Sequence, residues 1–125
     1  MVDPTPRPPR TIFVTIADVR YGLLLDFNAL CDVEDVTGLA VGIVTQSGQI
    51  KHARALTWAA LNGWVRRDRP KGRTPFTVTQ AGDVVDEWLQ EPGGAQAMRA
   101  VLVQLGNAAF PEAAKSQEAD PAPGN

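Results

Sequence analysis

The chain has 125 residues, 44% of them apolar and 21% charged, and a net charge of −2. Such a composition fits one globular domain able to bury a core without disulfides or a structural metal, and the charge balance excludes a global attraction to DNA or acidic lipid. The single cysteine, Cys31, cannot form an internal disulfide, so a reducing, cytoplasmic setting is expected.

Residues 1–10, MVDPTPRPPR, hold four prolines and lack the apolar stretch of a secretory signal. They are predicted to form a disordered arm, ahead of a single domain over 11–110. No run of about 18 apolar residues occurs, so no membrane-spanning helix is expected. Residues 111–125, rich in Ala, Pro and charge with little to bury, are predicted to be a disordered tail.

In TIFVTI, Ile12, Val14 and Ile16 alternate with Thr11, Phe13 and Thr15. Ala17 to Tyr21 interrupts, and GLLLDF resumes the alternation with Leu23, Leu25 and Phe27. This pattern predicts a two-stranded antiparallel hairpin. Asp26 and Asn28 are suitable N-caps for a short helix whose Ala29, Leu30, Val33 and Val36 follow helical spacing and which Gly38 ends. LAVGIV, Leu39 to Val44, is read as a helical turn, followed by a loop at Ser47 to Gln49.

From Lys51, the positions Ala53, Leu56, Thr57, Ala60, Leu61 and Trp64 form the stripe of an amphipathic helix. Trp58 falls off that stripe, which gives the helix a second apolar face. RRDRPKGR, Arg66 to Arg73, is expected to break the helix at Pro70 and Gly72 and form an exposed basic loop, with TPFTV as a short extended piece behind it. Thr79 is expected to cap a helix carrying Ala81, Val84, Val85, Trp88 and Leu89, ended by EPGG. A last helix runs from about Ala95 to Phe110 on Met98, Val101, Leu102, Leu105, Ala108 and Ala109, ended by Pro111. The fold class is therefore α+β: an N-terminal hairpin followed by a small, mainly helical body of about four helices.

The chemistry-bearing residues are few. One histidine, His52, and two serines, Ser47 and Ser116, are too thin an inventory for a nucleophilic triad. Cys31 sits on or beside an apolar helix face, where an inert buried thiol is expected. Asp26, Asp32, Glu34 and Asp35 read as caps and a solvated face, since calcium sites draw their ligands from a folded loop. No phosphate-binding glycine loop, CxxC or HExxH is present, so no enzyme activity, cofactor or metal is expected. Trp58, with Leu56 and Trp88, is the candidate partner-binding set, and apolar helix faces also fit self-association. Arg66, Arg67, Arg69, Lys71 and Arg73 are the candidate basic patch.

Four motifs occur in a fixed order. Asp26-Phe27-Asn28-Ala29-Leu30-Cys31 is followed by Glu34 and Gly38, then by Arg54-Ala55-Leu56-Thr57-Trp58-Ala59-Ala60-Leu61. Thr77 to Gly82 begins a further helix, and Ala109-Phe110-Pro111 closes the last. In this order the chain resembles the tail assembly chaperone-like, or tail-tube-associated, family of tailed bacteriophages and gene transfer agents, over roughly residues 11 to 111. Asn28, Leu30, Glu34 and Gly38 match the first family motif. The basic stretch Gly63 to Phe76 departs from the family, where a short link is expected. The resemblance implies a non-enzymatic protein, made in the bacterial host cell, that binds the tape-measure protein or tail-tube subunits during tail morphogenesis. It also implies that the acidic run caps and solubilises a helix, with Glu34 as a polar partner inside the fold.

A rival reading comes from GWVRRDRPKGRTPFTVTQAGDVVDEWL, which has the order of a winged-helix regulator: strand, basic wing tip at 66–73, return strand, helix. Lys51 to Asn62 would then be the recognition helix and nucleic acid the partner. Its middle is Leu, Trp and Ala, whereas base readout calls for exposed Arg, Lys, Asn or Gln.

Overall fold

The computed structural model describes residues 10–110; the segments expected to be disordered, 1–10 and 111–125, lie outside these residues except for Arg10. Strands β1 (Ile12–Ile16) and β2 (Val19–Leu23) pair antiparallel with Ile12 opposite Leu23, Val14 opposite Tyr21 and Ile16 opposite Val19. Ala17 and Asp18 between them both have positive φ, 51° and 65°. A two-residue turn of that kind matches the twist of the strands, so β2 begins at Val19, three residues before the position the alternation suggests. Ile16, Tyr21 and Leu23 are buried, and Phe13 lies opposite Gly22 on the other face.

Buried Leu24 and Leu25 lead into α1 (Phe27–Thr37). Asp26 is its N-cap and accepts the Ala29 N–H at 2.8 Å, while Gly38 ends it at φ 72°. Ala29 and Val33 face the core, but Val36 is exposed, and Phe27, the first helical residue, is 75% exposed. Phe27 thus belongs to no strand face: the cap at Asp26 has already turned the chain.

Helix α2 (Val41–Gln46) confirms the short apolar run as helical. Helix α3 (Ile50–Asp68) is the longest and packs against β2 and every other helix. It continues through Arg66 and Arg67, so the basic loop begins only at Arg69, which caps the helix with φ 47°. Helix α4 (Val78–Gln90) is capped by Thr77 rather than Thr79, through a reciprocal pair in which Thr77 Oγ1 accepts the Gln80 N–H and Gln80 Oε1 accepts the Thr77 N–H. Helix α5 (Gly94–Ala109) closes the fold, with Leu102 and Leu105 inward. Among the described residues the architecture is α+β, a two-stranded sheet followed by five helices.

The seam between hairpin and helices runs along α3. The Leu24 N–H donates to the Ala60 carbonyl at 3.0 Å, and a Cβ at Gly63 would meet the Leu24 carbonyl oxygen. A Cβ at Gly22 would likewise meet the Trp64 ring, which packs edge-on to Phe13 at 6.4 Å between centroids. Two residues without side chains therefore let the backbone of β2 and its exit lie directly on α3.

Candidate functional site

The candidate partner-binding residues do not come together on one surface: Leu56 lies at the floor of an apolar groove between helices, and Trp58 and Trp88 lie away from it. Leu56 is 2% exposed and Trp88 4%, both inside the core. Trp58 is half-buried, and its indole N–H donates to the Phe76 carbonyl at 3.0 Å. Asn62 grips the same residue from both sides, with Oδ1 accepting the Phe76 N–H at 2.7 Å and Nδ2 donating to its carbonyl at 3.0 Å. The second apolar face of α3 is thus covered by the returning segment 69–77.

The basic patch is also divided. Arg66 leaves α3 towards α1, 2.9 Å from Asp26 and 3.8 Å from Asp32. Arg73 lies over the rings of Tyr21 and Phe76, at 4.9 and 6.0 Å from their centroids. Arg67, Arg69 and Lys71 are exposed and make no such contact among the described residues. The segment 69–77 contains no strand, and its predecessor Gly63 to Asp68 is helical, so the two strands that a wing requires are not formed.

Of the family-motif positions, Gly38 supplies the left-handed C-cap and Leu30 packs on the core. Asn28 and Glu34 are exposed, so Glu34 is not a polar partner inside the fold. Asp26 serves cap and ion pair together, through the same oxygen, Oδ1. Among the described residues no cluster of three or more His, Cys, Asp and Glu is placed to hold a metal, and no helix is long and apolar enough to cross a membrane. Cys31 is half-buried on α1, and His52 meets Ser47, with Oγ 2.5 Å from Nδ1. That hydroxyl also accepts the Gln49 N–H at 3.2 Å, which makes the pair a staple across the α2–α3 junction.

What the structure adds is an apolar groove of about 240 Å³ where α2, α3, α4 and α5 meet. Val44, Ile50, Val85, Leu89, Met98 and Leu102 are among its walls, and Arg99 is its one charged lining residue. Ile50, at the first position of α3, is 78% exposed, and Leu89 is also exposed. Sequence reading placed Leu89 on the inward stripe of its helix and did not single out Ile50. The nearest signal was Ile50 itself, an apolar residue at a helix start where a polar one is usual.

Comparison of the chain with protein-family models, with curated proteins and with solved structures gives no match.

Proposed function

We propose that the chain is a non-enzymatic assembly protein of tailed phages or gene transfer agents that works in the bacterial cytoplasm. In this reading it holds a helical segment of the tape-measure protein during tail morphogenesis. The observation that carries it is the groove between α2, α3, α4 and α5, with Ile50 standing exposed at its edge. An amphipathic helix lays its apolar face into a groove of this kind, and Met98 gives one wall the adaptability that such contacts use.

The energetics are adequate. Fully burying an exposed isoleucine or leucine contributes about 1.5–3 kcal/mol, and a micromolar complex needs about 8 kcal/mol. Ile50 and a partly covered Leu89 would supply a sizeable fraction of that, the rest coming from the partner's own apolar face.

The test is co-expression of the tagged chain with candidate tape-measure and tail-tube proteins of a tailed phage or gene transfer agent, with duplex DNA retention measured at two salt concentrations. Wild type is expected to retain the tape-measure protein. Ile50→Asp is expected to lose it without a lower melting temperature, since the side chain it replaces is 78% exposed and an acid is favoured in the first turn of a helix. Retention of a tail-tube subunit alone, or of a second copy alone, would reassign the occupant. Capture of neither tail protein, or salt-sensitive DNA retention through Arg67, Arg69 and Lys71, would overturn the reading.

A further inference from the structure

A second depression, of about 280 Å³, shares Gln49 with the groove but has the opposite character. Lys51, His52 and Arg54 line it together with Gln49 and Thr37, and no carboxylate does. Its remaining walls, Leu39 and Val78 among them, are apolar.

Three further features converge there. Helix α3 starts at this point with Gln49 as a cap that makes no side-chain hydrogen bond and with no acid in its first turn. The N–H groups of Ile50 and Lys51 therefore have no intrahelical acceptor, at the positive end of a 19-residue helix. His52 is 5% exposed, and its ring is fixed through Nδ1 by Ser47. The stem of Arg54 is seated against α4: a Cβ at Gly82 would lie 3.1 Å from Arg54 Cδ. Among the described residues the ion pairs are both those of Arg66, so neither Lys51 nor Arg54 is neutralised by one.

We infer that this depression binds an oxyanion, a carboxylate or phosphate group. Such a group would accept hydrogen bonds from the guanidinium of Arg54 and the ammonium of Lys51, and would complement the uncapped start of α3. The inference rests on the lining of this depression and stands whether or not the apolar groove receives a helix.

The experiment is an amide NMR titration of the full chain with sodium phosphate and, separately, with sodium acetate, against sodium chloride at equal ionic strength. Saturable shifts at Gln49, Lys51 and His52 are expected with an oxyanion and not with chloride. Saturation by phosphate alone assigns a phosphate site; saturation by acetate as well assigns a general carboxylate site. Lys51→Gln with Arg54→Gln is expected to weaken binding by about tenfold or more while shifts elsewhere stay put, because both side chains are exposed. Linear shifts equal to those of chloride, or an affinity unchanged in the double variant, would overturn the inference. The wild-type titration decides by itself should the variant be poorly folded.

Discussion

Thr57 is fully buried in α3, and its Oγ1 has no hydrogen-bond partner among the described residues. A buried hydroxyl left in that state costs about 1–3 kcal/mol, and valine has nearly the same shape without the oxygen. The β-branch is kept, so helix propensity changes little. Thr57→Val is therefore expected to stabilise the fold by about 1 kcal/mol in denaturant unfolding. Thr57→Ser keeps the hydroxyl, removes a methyl group and should destabilise. A loss of stability in Thr57→Val would show that the oxygen is satisfied after all. The off-stripe position of Trp58 is visible in the sequence, but the bond from its indole to Phe76 spans 18 residues and has no local signature.

The β1–β2 turn places Ala17 at φ 51°, a conformation that costs an ordinary L-residue about 1 kcal/mol and glycine almost nothing. Its N–H is also held by Glu91 Oε2 at 2.9 Å, which ties the turn to the end of α4. Ala17→Gly keeps that bond and removes the strain, while unfolded-chain entropy returns part of the gain. The expected outcome is a net stabilisation of at most about 0.5 kcal/mol, read as an unchanged or slightly higher melting temperature; a clearly lower one would mean the turn is not of the primed type. At this scale much was legible. The α1 cap at Asp26 and stop at Gly38 are local signals, and the stripes of α3, α4 and α5 repeat over several turns. The end of α3 was misplaced because Pro70 restricts only the residue before it, which leaves Arg66 to Asp68 free to stay helical. Thr77 and Thr79 are both caps by type, and only Gln80, three residues after Thr77, distinguishes them. The groove and the basic depression were beyond reach, since each is assembled from residues that three or four elements bring together.

Across the whole molecule α3 is the common partner, and the closest approach in it is at Gly63. Alanine there would gain about 1 kcal/mol of intrinsic helix propensity. Against this, the new Cβ would push the Leu24 carbonyl away, with an overpacking cost of about 1–3 kcal/mol and the loss of about 1 kcal/mol from the Leu24–Ala60 hydrogen bond. The steric term wins, so Gly63→Ala is expected to destabilise by about 1–3 kcal/mol. The consequence is global because the hairpin buries Ile16, Tyr21 and Leu23 in the same core as the helices. Tryptophan fluorescence, dominated by three residues on α3 and α4, and far-ultraviolet dichroism should therefore report one coincident unfolding transition in the wild type. In Gly63→Ala both midpoints should move down together. If only the fluorescence midpoint moved, the hairpin would be docking onto an independently stable helical body, and the seam at Gly63 would be an interface between two units instead of the interior of one.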